Sequence, residues 1–498
     1  MNTAKLYSSY KTKMQKIADV KYASAVLQWD QETYLPPKGN DFRGQQIATL
    51  SEIAHQQFTD KKMGDLLEKL SSREDLTAAE KRNIALSNED YKRNVKLSAA
   101  FVRQLSETVN QSYHAWAKAR KENSFDNFEQ PLNKLIQLKR QEADMLGYEH
   151  HPYNALMNDY DKGLTVSTVD SLFNELKPRL LNLLDFLKNK ISVDHSFLAQ
   201  EFNKDEQWKF GLELLKRIGF DFEAGRQDIS LHPFTTNFSS KDVRVTTRID
   251  EHDFGNMTWS CLHEGGHALY EQGLPADQYG LPLGEYCSLS IHESQSRLWE
   301  NCIGRGLPFW QHNFKLLTKA FPNQFKNINI EKFYKGINRV SPSLIRTEAD
   351  ELTYHFHVMI RYEIEKMLIE GSIQTKDIPA CWNEQYQKYL GIKVPDDNRG
   401  CLQDIHWSHG SFGYFATYSL GSLYAAQLYS TIENQHPTLS EDLANGKINT
   451  IQGWLQKEIY CNGRYYSSEE LCKKATGDTL QSSYFIDYAT KKFAEIYG

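Results

Sequence analysis

The sequence predicts a mostly α-helical chain, one large helical body interrupted by a small β-hairpin. Three observations carry this. Residues 91–122, 168–191 and 343–370 place apolar side chains at three-to-four spacing. Hydrophobic residues make up 40% and charged residues 24% of the 498, the balance of a globular protein with a sizeable core. Only one stretch, 229–249, alternates instead, with Val243, Val245 and Thr247 bounded by Ser239-Ser240 and Asp250.

The elements follow in order. The opening MNTAKLYSSYKTKMQKI is helical and charged throughout, without the apolar core of a secretory leader, so none is expected. Residues 91–122 contain no Pro or Gly and read as one helix. Residues 168–191 start after Ser167, a capping residue three before Asp170, and Pro178 is expected to kink or break them. After the hairpin, MTWSCLHEGGHALYEQG reads as a helix that Asp253 or Asn256 can cap and that Gly273 and Pro275 can end. SLSIHESQSRLWEN (288–301) is a second helical stretch. Residues 343–370 form a long helix closed by Gly371, and 411–431 and 480–497 are further helices. No repeat or low-complexity linker appears. The chain is therefore read as a single domain, 1–498, with a helical part at about 1–228, a site-bearing part at about 229–430 and C-terminal helices at about 431–498.

Composition excludes several function classes. A net charge of −6 gives no support to nucleic-acid binding driven by bulk charge. No apolar run approaches a membrane span. The seven cysteines are odd in number and dispersed, without a CxxC pair, which points to reduced thiols in the cytoplasm.

Ten of the 16 histidines fall between His232 and His409, and the densest chemistry is His263-Glu264-Gly265-Gly266-His267. On a helix, residues four apart share a face, so His263 and His267 can grip one ion from one side. Two neutral imidazoles leave a zinc ion strongly acidic, and an ion with an open position lowers the pKa of water from about 16 to near 7. Glu264, offset by one residue, is placed to act as general base. Gly265 and Gly266 each cost about 1 kcal/mol in a helix interior relative to Ala, which implies that something approaches this backbone closely. A third ligand is needed. Position 270 is Tyr, which rules out the metzincin pattern, and leaves a carboxylate: Glu271, Glu285, Glu293 or Glu300. Glu271 lies far along the same helix, and Glu293 stands among the polar residues His292, Ser294 and Gln295. Cys261, two residues before His263, faces the other side of the helix and reads as core. His355 and His357, two apart, cannot share a face and read as polar lining.

The motifs occur in a definite order: Leu27-Gln28-Trp29-Asp30, His232-Pro233-Phe234, Asp242-Val243-Arg244-Val245-Thr246, the HEGGH run, His292-Glu293-Ser294-Gln295, Ile345-Arg346 through Ala349-Asp350, and Gly400-Cys401-Leu402-Gln403-Asp404-Ile405-His406-Trp407. In set and order they resemble the M32 family of metallocarboxypeptidases, the carboxypeptidase Taq type, over essentially the whole chain. The resemblance implies a saddle-like helical body with a deep cleft, similar to neurolysin and angiotensin-converting enzyme. It implies removal of single residues from free peptide C-termini with broad preference, a homodimer, and zinc, with cobalt as an active substitute. It carries the third ligand over to Glu293.

The same resemblance suggests Arg346 as reader of the substrate carboxylate, a task that suits a planar guanidinium, with Asp350 orienting it. Arg244 and Arg248 are rival readers. Tyr414, with Tyr418 as its rival, would donate to the oxyanion, and His406 would bind the substrate backbone or the intermediate. Residues 242–247 could present a strand edge to a peptide, and His232-Pro233-Phe234 could line the pocket for the terminal residue or form a plain turn. The competing readings are an endopeptidase or dipeptidase on the same scaffold, and an inactive helical binding protein.

Overall fold

The computed structural model describes residues 2–188, 190 and 193–498. Helices dominate, and the described residues hold one three-stranded sheet. The chain forms two compact units, each assembled from three segments. One comprises Met1–Val95, Asp194–Ile337 and Tyr424–Leu480; the other comprises Lys96–Val193, Asn338–Leu423 and Gln481–Gly498. These segments interleave along the chain and do not coincide with the consecutive parts 1–228, 229–430 and 431–498 expected above. No described helix is long and apolar enough to cross a membrane.

In the first unit the sheet runs β1 (Gly225–Ile229), β3 (Asp242–Thr247), β2 (Thr235–Ser239). β2 and β3 form the expected hairpin, antiparallel, with Thr235 opposite Val245. β1 pairs with β3 in parallel, Gly225 opposite Val243. Val243 and Val245 are buried, which sets the register of the central strand. The expectation of an open edge at 242–247 is therefore corrected: both flanks of β3 are already hydrogen-bonded, and the sheet's edges are β1 and β2. Trp29, near the end of helix Thr3–Thr33, lies under the guanidinium groups of Arg226 and Arg244, at 5.4 and 4.3 Å from its ring.

Three expected helices differ in the structure. Residues 91–122 divide into Ala78–Asn94 and Ala99–Glu122, because the Ser98 hydroxyl accepts the Phe101 N–H at 3.1 Å and starts a new helix. Val166–Lys188 continues unbroken past Pro178, where one lost backbone bond is outweighed by the buried Leu176, Leu180 and Leu183; its start is held by Thr165 rather than Ser167. Positions 189 and 191 of that expected helix lie outside the described residues. The stretch 343–370 is helical only over Tyr354–Glu370, with a short 3₁₀ turn at Arg346–Glu348. The Asp350 carboxylate stops the helix from extending upstream: it accepts the N–H groups of Leu352 and Thr353, each at 3.0 Å. The later helices appear as Phe415–Gln435 and Ser482–Tyr497.

Candidate functional site

Helix Phe254–Gly273 begins at Asp253, whose carboxylate accepts the Gly255 N–H at 2.8 Å. Its neighbours explain the two glycines. A Cβ on Gly266 would lie 2.5 Å from the carbonyl oxygen of Gln295 and 2.7 Å from the Cα of Ser296, both backbone atoms of helix Leu289–Arg297. A Cβ on Gly265 would meet side chains only, Ile218 and Leu215. The close approach at Gly266 brings Glu293 to the histidine face.

His263, His267 and Glu293 each offer a ligand atom within 4.8 Å of the others. The Nε2 atoms of His263 and His267 stand 3.7 and 3.5 Å from Glu293 Oε2. Tetrahedral zinc with bonds of about 2.0–2.1 Å separates its ligands by roughly 3.4 Å, so this donor set fits such an ion. Two of the three are steered by hydrogen bonds, while His267 Nδ1 is buried without a partner. Arg297 donates to the other oxygen of Glu293 at 2.7 Å. Burial alone would raise the Glu293 pKa, but Arg297 and the two imidazoles hold it well below the usual carboxylate range. His263 Nδ1 lies 2.9 Å from Glu300, which leaves its Nε2 lone pair facing Glu293. Glu300 sits in a π-helical turn, Leu298–Gly304, and also receives Arg297 and Arg305. Burial opposes ionisation there, yet the bond from His263 and the two guanidinium groups bring its pKa down to about 2.

The two imidazoles differ. Burial lowers the pKa of both, but Glu293 and Glu300 together lift His263 above its ordinary value, whereas His267 is pushed down to about 3 by burial and by His292. The His292 ring stacks on His267 at 4.4 Å and 23°, and its Nε2 lies 2.8 Å from Glu271. Glu264 is buried, and its Oε2 accepts from Thr235 Oγ1 of β2 at 2.7 Å. Burial raises its pKa, partly offset by His263 and Thr235.

The rival carboxylates are engaged elsewhere. Glu271 serves His292 and Asn237, Glu285 pairs with Arg464 at 2.7 Å, and Glu300 orients His263. Cys261 is buried against Gln227, away from the ligand face. Arg244 gives two hydrogen bonds to Asp242 and stacks on Trp29 and Phe238, while the exposed Arg248 reaches Asn256. His232 is exposed in a turn whose carbonyl accepts from Ser230, and Phe234 is tied to Thr246.

In the second unit Arg346, His406, Tyr414 and Tyr418 come together. Arg346 Nε donates to Asp404 at 2.9 Å, its Nη1 to the Tyr354 hydroxyl at 3.1 Å, and its guanidinium lies 4.8 Å from the Tyr418 ring. Asp350 does not orient Arg346, and that expectation is corrected: without a helix over 346–350 the i,i+4 geometry is absent, and the carboxylate is occupied by Ser341, Leu352 and Thr353. Asp404 takes the orienting part, shared with Arg361 at 2.6 Å. His406 Nε2 lies 3.1 Å from the Tyr418 hydroxyl, and its ring packs against Tyr414 and Phe415. Burial, reinforced by Arg346, brings the His406 pKa down to about 3, so the ring is neutral. Tyr414 meets Tyr160 edge-on at 5.2 Å. His355 and His357 point to different partners, Ser419 and Tyr386.

Sequence reasoning missed Thr235, Arg297, Arg361, Glu365 and the orienting role of Asp404. Arg297 was findable, since it stands four residues after Glu293 on one helix. Arg361 and Glu365 were findable as opposite charges one turn apart on one helix. Thr235 had no local signal.

A family model described as carboxypeptidase Taq (M32) metallopeptidase matches residues 9–493. Carboxypeptidase 1 of Bacillus subtilis (strain 168) is 37% identical over 486 residues, 97% of each chain. Thermostable carboxypeptidase 1 of Thermus thermophilus is 36% identical over 488 residues, 95% of each chain. The crystal structure of M32 carboxypeptidase from Deinococcus radiodurans R1 superposes with a TM-score of 0.97 at 37% identity, covering 99% of this chain and 100% of that one.

Proposed function

The chain belongs to the carboxypeptidase Taq (M32) family of metallopeptidases and is a metallocarboxypeptidase; on that premise we propose that His263, His267 and Glu293 hold its divalent ion and that Glu264 is its general base. The observation that carries this reading is the fit of the three ligand atoms to one tetrahedral ion. When bound, the ion supplies Lewis acidity toward water and toward the scissile carbonyl. Glu264 takes the proton of the attacking water at its carboxylate and returns it to the leaving amine. Thr235 fixes that carboxylate, and burial, by raising its proton affinity, makes it a stronger base. Glu300 orients His263 and Arg297 orients Glu293 toward the ion.

Arg346 reads the free C-terminal carboxylate, with Asp404 and Tyr354 fixing its fork and Nη2 outside these bonds. Arg244, bonded to Asp242 through Nε and Nη2, is the rival reader. Tyr414 donates to the oxyanion, with Tyr418, whose hydroxyl lies 3.1 Å from His406 Nε2, as its rival. His406, neutral, hydrogen-bonds the substrate backbone or the intermediate, and the His232-Pro233-Phe234 turn lines the pocket for the terminal residue. Backbone recognition by such groups makes side-chain preference broad. The reading extends to zinc as the ion, with cobalt as an active substitute, to a homodimer, and to the cytoplasm, which seven dispersed cysteines without a CxxC pair favour.

The test compares matched free-acid and C-terminally amidated peptides, with metal content measured alongside. Free acids should be cleaved much faster, and Arg346→Ala should remove that advantage. Equal rates on both in the native enzyme overturn the carboxylate-reading role, and protein that binds no divalent ion overturns the ligand assignment.

A further inference from the structure

Helix Tyr354–Glu370 carries Arg361 and Glu365 one turn apart, both with no exposed surface. A fully buried charge is costly unless its hydrogen bonds are made, so their partners are informative. Arg361 donates to Asp404 at 2.6 Å, to the Gln403 side-chain oxygen at 2.7 Å and to the His357 carbonyl at 2.7 Å. Glu365 accepts from the Trp407 indole on one oxygen at 2.8 Å. On the other it accepts from the Gly413 N–H at 2.8 Å and from the Tyr153 hydroxyl. Gln403, Asp404, Trp407 and Gly413 all lie in the segment 403–414, which carries His406 and ends at Tyr414. That segment has one 3₁₀ turn, His406–His409, and two left-handed glycines, Gly410 and Gly413. A backbone of this kind has no ladder of its own to fix it, so anchoring falls to side chains.

We propose that Glu365 is a positioning residue for the reaction, which together with Arg361 pins the segment 403–414 and thereby sets where His406 and Tyr414 stand. The inference rests on the roles given to those two residues above. The chemistry of the anchor is specific. Three donors converge on two oxygens, and only a carboxylate accepts all three. Gln in its place turns an NH₂ toward at least one of them, and Asp falls one methylene short. Burial pushes the Glu365 carboxyl up to about 7, while Gly413, Tyr153, Trp407 and Lys139 pull it back toward the ionised form.

The experiment uses the full-length, metal-loaded enzyme and a free-acid peptide, comparing Glu365→Gln, Trp407→Phe, Tyr414→Phe and their double variants. Displacing a reacting group by about 1 Å costs up to roughly 10²-fold in rate. Glu365→Gln is therefore expected to lower kcat about 10- to 100-fold, with KM and metal content little changed. Adding Trp407→Phe removes the donor that opposes the new NH₂, and part of kcat returns. Adding Glu365→Gln to Tyr414→Phe costs clearly less than the product of the two single losses, since part of the anchor's effect acts through that phenol. Should Glu365→Gln not fold, Trp407→Phe alone, which removes one of three donors, should lower kcat a few-fold at constant KM, and an unchanged kcat there overturns the proposal. Full kcat in Glu365→Gln beside a crippled Tyr414→Phe refutes the positioning role alone. Strictly multiplicative losses in the double variant do the same. Full kcat in Tyr414→Phe refutes the oxyanion role and this inference with it.

Discussion

The His263 helix and the segment around Arg346 arrange buried charge by different means. On Phe254–Gly273 two proposed ligands are one turn apart, and the third arrives on a helix that Gly266 lets approach. Around Arg346 the partners are 58 and 43 residues apart: Asp404 bridges Arg346 and Arg361, and no helical period relates them. The first arrangement depends on spacing and close packing. The second depends on charges that compensate one another only once the chain has folded.

Substitutions can break that contrast at graded cost. The largest effect is expected at Glu264→Gln, which removes the base and spares the ligands: kcat should fall roughly 10²–10⁴-fold with metal content unchanged. Loss of metal in that variant would place Glu264 among the ligands. Next is Asp404→Asn. It leaves two buried guanidinium groups without their counter-charge, a loss of about 3–5 kcal/mol visible as a lowered Tm. A Tm equal to wild type would mean that the bridge is not what holds Arg346. Glu300→Gln should weaken metal affinity about 10- to 100-fold by removing the negative charge that faces His263 Nδ1, measured by chelator competition.

Smaller effects sharpen the comparison. Gly266→Ala drives a methyl into backbone and should cost about 1–3 kcal/mol, whereas Gly265→Ala meets the ends of Ile218 and Leu215 and should cost less. Equal costs would mean that the Leu289–Arg297 helix does not depend on that approach. Two carboxyls give opposite pH signatures in the metal-free protein. Glu300, depressed to about 2, adds stability that is present above its unfolded value of about 4.5 and is lost as pH falls toward 2. Glu365, raised to about 7, adds stability that is present below about 4.5 and is lost as pH rises through 7. Thermal scans of Glu300→Gln and Glu365→Gln against wild type should therefore diverge at opposite ends of the pH range.

The same contrast explains what could be read from sequence. Helical content, the hairpin, the cap at Asp253 and the gathering of His263, His267 and Glu293 follow from short-range patterns, with the family resemblance selecting Glu293 among four carboxylates. The expected helix over 343–353 did not form, because apolar spacing carries no record of Asp350 capturing backbone N–H groups or of Arg346 turning toward Asp404. The sequence makes β3 look like an edge because its parallel partner, Gly225–Ile229, shows no alternation of its own. Glu300, one of the four candidate carboxylates, meets Nδ1 of His263 rather than Nε2, a distinction that spacing does not carry.

The π turn Leu298–Gly304 carries a wider winding than an α-helix. Excising a single residue from it would let the stretch rewind as ordinary helix with its backbone bonds intact. Glu300, if downstream of the cut, would swing by about 100°, off His263, while Glu293, which precedes the turn, would stay in place. Ion capture and imidazole steering thus lie on opposite sides of a seam in the chain, and a change of length at that seam is a route by which one can be loosened without surrendering the other.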